Sequence, residues 1–278
     1  MTGVSVILPV HRDAPWLTPQ LAAIGSQVGR PPFELVLVLN RTTLSLDAGD
    51  LGLPPEVSVK IVRADQRAGA AYARNVGIAR STGELLLFCD SDDVVAGTWI
   101  AEHTKALQSA DISIGVFQYL STEHHPNDHP SLRVPVVGSR PVASGGNCGY
   151  RSRVLSENGG FDEALLRGQD ADLSLRAENA GYTVALAPAA LVLNRRAFGL
   201  AGVRKSYLDG TALWTLKRRH TLPSVSGLEL VRSLASSIRH GRGRPGALFA
   251  IARCSAELAG YSRAQLSHVV SVAIRGRR

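Results

Sequence analysis

Apolar positions fall in unbroken runs over the first third of the chain. Residues 4–10 (VSVILPV) and 33–39 (FELVLVL) each predict a strand, and 85–89 (LLLFC) predicts one buried on both faces, as in a parallel sheet. Residues 57–62 (VSVKIV) alternate and predict a further strand. Helical spacing is interleaved with these runs. Trp16, Leu17, Leu21, Ile24 and Val28 mark a helix over 16–28, and the Ala-rich stretch 69–80 predicts another that begins at Gly69. The order β-α-β-β-α-β predicts an α/β fold: a mixed, mostly parallel sheet with helices on both faces.

Farther on, 98–109 reads as a helix and 111–120 as a strand. Residues 121–142 read as one long surface loop holding His124, His125 and His129. Adjacent histidines point apart on most backbones, so they carry no metal assignment by themselves. Residues 143–153 (ASGGNCGYRSR) are a glycine-rich turn expected to let backbone approach a ligand. Residues 167–182 enter a helix ending at Gly181, with Asp170 near its start, and 183–193 form a last strand. Helices are expected over 200–219, 228–240 and 246–273.

Charge divides the chain in two. Residues 195–278 hold 16 Lys and Arg against 3 Asp and Glu, whereas the chain as a whole is +8. A domain over 1–199 and a basic helical region over 200–278 are expected, the latter suited equally to an anionic membrane surface and to an ordinary helical cap whose Arg residues face water. A nucleic-acid partner is not expected. Three separated cysteines show no disulfide or zinc spacing, and no apolar run is long enough to span a bilayer. The expected location is cytoplasmic, or peripheral on the inner face of a membrane.

The candidate chemistry sits at the end of the 85–89 run, where Asp90, Asp92 and Asp93 follow within four positions. Open α/β sheets bind ligands at the carboxyl ends of their strands. Carboxylates so close repel one another unless a cation or donors neutralise them, and hard oxygens suit Mg²⁺ or Mn²⁺. A solvated acidic turn is the alternative on these residues alone.

Four segments together resemble the inverting family 2 glycosyltransferases of the GT-A fold: VSVILPVHR, ELVLVLN at 34–40, GAAYARNVGIARSTGELLLFCDSDD at 69–93, and GGFDEALLRGQDADLSLRAENAGY at 159–182. The resemblance covers about residues 3–196. It implies a hexosyl transferase that uses a nucleotide-diphosphate sugar donor and Mg²⁺ or Mn²⁺. Pro9, Val10, His11 and Arg12 would line the nucleotide pocket, with Gly69, Arg74, Asp90 and Ser91 also on the donor side. Asp92 would hold the metal. Gly145, Gly146, Asn147 and Gln169 would lie toward the acceptor, and Asp170 would be the general base.

Three departures qualify it. Asn40 stands where an acidic base-contacting residue is usual, and its amide oxygen would accept from a uracil or thymine N3–H, favouring UDP- or dTDP-sugars. Gln169 replaces the Glu of a Glu-Asp pair. Asn194 stands near a usual metal-binding His and is a second candidate ligand. The acceptor stays open among a lipid-linked glycan, a natural-product aglycone and a protein, as does the oligomeric state. The alternative function is a degenerate transferase kept as a nucleotide-sugar-binding or scaffold subunit.

Overall fold

The structure, a computed structural model, describes residues 3–11, 16–120, 131–195, 199–222 and 247–275. It divides into two compact units, with the break at Arg195/Arg196.

The first unit is built on a twisted sheet. Strands β1 (Val4–Val10), β2 (Phe33–Leu39), β3 (Ser58–Arg63) and β4 (Leu85–Cys89) lie in the order β3-β2-β1-β4, all parallel. β5 (Val94–Val95) is short. β6 (Ile112–Leu120) and β11 (Val184–Arg195) run parallel to each other, and β5 closes that edge against β11. β7 (Ser131–Arg133) adds to β6, while β8 (Val136–Val137) and β9 (Arg140–Pro141) form a separate ribbon. The predicted loop at 121–142 thus holds three short strands in its described part. Its three histidines lie outside the described residues.

β10 (Asn147–Arg151) is a central strand that local pattern did not predict. It is inserted antiparallel between β4 and β6 and joins the two parallel halves. Its sequence, NCGYR, is short and broken by Gly149, so it carries no strand signature of its own.

Alternation on the strands sends side chains to two cores. Val4, Val6 and Leu8 of β1 pack with α1 (Leu17–Gly25) and α3 (Trp99–Ser109). Ile7, Val36 and Val38 face α2 (Ala70–Arg80), with α4 (Ser152–Glu157) and α5 (Gln169–Asn179) farther along the same face. All five residues of β4 are buried, and each such side chain contributes roughly 1.5–3 kcal/mol of burial.

The chain leaves β1 toward β2 on one side, while β4 lies on the other. This reversal of winding opens a crevice at the carboxyl ends of β1 and β4. Pro9 falls within β1 but beyond Ile7, the last residue paired with β4. A residue without an N–H therefore sits where the two strands separate.

The second unit pairs two helices, α6 (Gly199–Arg219) and α7 (Ala247–Arg275). Gly210 faces the Glu257 carbonyl and Gly260 that of Tyr207, so the backbones touch, and Arg263 Nη1 donates to Tyr207 Oη at 3.0 Å. The helix expected at 228–240 lies outside the described residues. Among the described residues, no helix is long and apolar enough to cross a membrane.

Candidate active site

β4 delivers Asp90, Asp92 and Asp93 to the crevice because its apolar run ends there. Among the described residues these three form a cluster whose carboxylate oxygens come within 4.8 Å of one another. Asp92 is exposed, whereas Asp93 is only 2% exposed. Asn194 Nδ2 donates to Asp93 Oδ2 at 2.8 Å. Asn194 therefore meets the cluster through its amide N–H, holding Asp93. The donor set is hard oxygen only, which fits Mg²⁺ or Mn²⁺ and not a thiolate- or imidazole-seeking metal.

Arg74 comes from the middle of α2. Its Nη2 donates to Asp90 Oδ1 at 2.7 Å, and its guanidinium lies 5.5 Å from the Phe161 ring centroid. Burial disfavours the cation, but Asp90 and Asp170 outweigh that and leave the Arg74 pKa raised. Its Nε is buried and has no hydrogen-bond partner.

Asp170, the second residue of α5, is reached through the glycine pair. Gly145 N donates to Asp170 Oδ2 at 3.0 Å, and Ala171 N to Oδ1 at 2.9 Å. A Cβ on Gly145 would stand 2.4 Å from Arg74 Cζ, and one on Gly146 2.8 Å from Asp90 Oδ2. The glycines admit the site's own side chains to the backbone, a role that the ligand-approach reading did not foresee. Asp90, Arg74, Gly145 and Asp170 thus form one connected line.

Other expected residues stand differently. Asn147 is fully buried: its Oδ1 accepts from Trp99 Nε1 at 2.7 Å and His103 Nε2 at 2.9 Å, and its Nδ2 donates to the Val116 and Ala190 carbonyls. No polar atom of its side chain is left for an acceptor; it braces β10 from behind. Because Oδ1 must accept, His103 carries its proton on Nε2 and takes the Ser113 hydroxyl on Nδ1 at 2.7 Å. Burial depresses the His103 pKa to about 4, against the opposing hydrogen bond to Asn147.

Asn40 is likewise committed. It is 2% exposed, donates to the Ala64 and Arg67 carbonyls, and accepts from Gly69 N at 3.0 Å. It ties β2 to the loop before α2 and does not turn its oxygen to a nucleobase, so the ground for preferring uridine or thymidine is gone. Val10 points its side chain into the core. His11 is exposed and donates from Nδ1 to the Asn40 carbonyl at 2.8 Å, and Ser91 is buried. Arg12 lies outside the described residues. Gly69 is the exposed N-cap of α2, at φ 133° and ψ 148°.

Two connections went unpredicted. Asn75 donates to the Phe161 carbonyl and to Glu163, and Arg67 Nη1 reaches Glu163 Oε2 at 2.9 Å, joining α2 to the turn before α5. Gln169 lines a small cavity there with Arg67 and Tyr72, its own Oε1 buried and unpartnered. The other is Gln20 on α1, whose polar group within an apolar stripe of Leu17, Leu21 and Ile24 was the available signal.

The mixed sheet with its acidic cluster at the switch point has the GT-A fold of the solved structures given below. Residues 5–159 match the glycosyl transferase family 2 model, and the chain belongs to that family. It is 26% identical over 232 residues to the glycosyltransferase YwdF of Bacillus subtilis, covering 74% of this chain and 81% of that protein. It is 27% identical over 268 residues to the pre-mycofactocin glycosyltransferase of Mycobacterium tuberculosis, spanning 88% of this chain but 55% of that protein. Two solved structures share the fold. The mannosyltransferase PcManGT of Pyrobaculum calidifontis, in complex with GDP-Man and Mn²⁺, has a TM-score of 0.61 at 17% identity, over 98% of this chain and 80% of that one. S. aureus TarS 1–349 in complex with UDP-GlcNAc has a TM-score of 0.58 at 15% identity, over 96% and 92%.

Proposed function

We propose that this glycosyltransferase moves a sugar from a nucleoside-diphosphate sugar to an acceptor hydroxyl with inversion, Asp170 acting as general base. The observation that carries the reading is the Gly145 bridge, which ties the candidate base to Arg74 and Asp90 at the donor crevice. Inversion needs one carboxylate to take the acceptor proton as the oxygen attacks. Asp170 keeps lone pairs for that proton beside the two N–H groups that orient it. Arg74 steadies Asp90 toward the donor, and Asp92 would hold a divalent cation. When bound, that cation would supply charge neutralisation for a departing diphosphate. Asp93, held by Asn194, keeps the cluster in place.

Donor class is supported by the neighbours, one carrying UDP-GlcNAc and the other GDP-Man with Mn²⁺. They differ in base, and no residue described here favours one. The degenerate-subunit alternative gains nothing from the geometry, since Asp90, Asp92 and Asp170 are all present. We assign the transfer to residues 1–199 and a peripheral, cytoplasmic-side membrane contact to the basic 200–278 region. Liposome binding that needs anionic lipid and is lost on truncation near residue 200 tests the latter.

The decisive experiment is Asp170→Asn. Transfer should fall by about 10²–10⁴-fold, while nucleoside diphosphate raises the melting temperature equally in both proteins. A variant that retains transfer removes Asp170 as base. A panel of nucleotide sugars in the same melting assay names the donor.

A further inference from the structure

Gln20 on α1 and Gln27, two residues beyond its end, are both buried, at 0% and 6% exposure. Neither is tolerable there without partners, because a buried amide left unpaired is costly. Each is fully employed, but on different segments. Gln20 Nε2 donates to the Asp90 carbonyl at 3.0 Å, and its Oε1 accepts from Val95 N at 3.0 Å. Gln27 Nε2 donates to the Ala96 carbonyl at 2.6 Å and to that of Ala23 at 3.0 Å, and its Oε1 accepts from Ile100 N at 2.9 Å.

One side chain therefore clamps both ends of the loop that carries Asp92. The loop is also held by its carboxylates, Asp90 by Arg74 and Asp93 by Asn194, and by the pairing of Val94–Val95 with β11. We infer that Gln20 is a positioning residue for sugar transfer: its amide closes the Asp90–Val95 loop onto α1 and so fixes where Asp92 meets the donor's diphosphate and its cation. The inference rests on the reading of Asp92 as the cation's residue. Gln27 makes the same kind of bonds just past the helix end, onto Ala96 and Ile100 beyond that loop, and serves as the structural control.

The test compares Gln20→Met and Gln27→Met in the full chain. Both should lower the melting temperature, since both strand backbone groups. Only Gln20→Met should weaken Mn²⁺ binding, read from the EPR signal of free Mn²⁺, by about tenfold, the low end of the loss seen when an outer partner of a metal ligand is removed. Equal weakening in the two variants, or unchanged affinity in Gln20→Met, overturns the inference. If Gln20→Met does not fold, Gln20→Glu keeps the acceptor for Val95 N–H while losing the amide donor to Asp90, and should show the same selective loss. A wild-type protein that binds no Mn²⁺ sinks the cation reading instead. Gln20 is then judged by amide hydrogen exchange at residues 92–95, which should quicken in Gln20→Met and not in Gln27→Met; unchanged protection overturns the inference.

Discussion

Arg74 and Asp90 are paired at 2.7 Å across a boundary: the Arg74 side chain is 4% exposed and that of Asp90 39%. The two partners are therefore unequal. Removing Asp90 strands a cation that water cannot reach, left with Asp170 and the Phe161 ring to favour it. Removing Arg74 leaves a carboxylate that water can solvate. Asp90→Asn should accordingly cost about 1–3 kcal/mol of stability, less than a fully buried pair because Asp90 is screened. Arg74→Met, which keeps the packing stem, should cost less. Urea unfolding of the two variants decides it, and the reverse order would refute the asymmetry.

The glycines make a second contrast. Gly145→Ala drives a methyl to within 2.4 Å of a buried guanidinium, so the cost is overpacking, about 1–3 kcal/mol, and Arg74 must shift off Asp90. Gly69→Ala meets nothing within 4 Å, yet its φ of 133° is a conformation side chains rarely adopt. It should also cost about 1–3 kcal/mol, all of it backbone strain. Thermal unfolding should show both losses. Crystal structures should show a displaced Arg74 only in Gly145→Ala.

How these residues were legible differs in kind. The end of β4 could be read because five apolar positions and the acids after them are local. Gly69 and Asp170 could be placed at helix starts for the same reason. β10 could not, since its pairing with β4 and β6 joins segments far apart in sequence and five residues with a central glycine carry no period. Asn40 and Asn147 misled because chain position says nothing about which way an amide is satisfied. Both are consumed by backbone carbonyls that only the folded chain brings near. Gln20 was visible as a polar residue on an apolar helix face, but its partners, Asp90 and Val95, were not.

At the opposite end of the sheet, Glu34 on β2 gathers Ser5, Lys60 and Thr82. Burial alone would raise its pKa, but Lys60 and the hydrogen bonds outweigh it and bring it down from 4.5 to about 2. A depressed carboxylate pKa stabilises the fold above the unfolded value, and that contribution fades as pH falls from 4.5 through 2. The gap corresponds to about 3 kcal/mol. Glu34→Gln should be less stable than wild type at neutral pH, with the difference shrinking across that window. A constant difference would show that Glu34 is not the titrating group.

His103 acts in a higher window with the same sign. Its folded pKa of about 4 lies below the usual 6.5 because the ring is sealed in the core, held neutral between Ser113 and Asn147. The unfolded chain binds the proton first, so stability is whole above 6.5 and declines as pH falls toward 4. By about pH 5 the loss from this residue should be about 2 kcal/mol. Asn147 leads directly into the Gly146 backbone that lies against Asp90. In His103→Gln, which does not titrate, the fall in unfolding free energy between pH 6.5 and 5 should shrink by that amount. Denaturant titrations at pH 7, 6 and 5 measure it directly, and an unchanged slope in the variant would assign the pH dependence elsewhere.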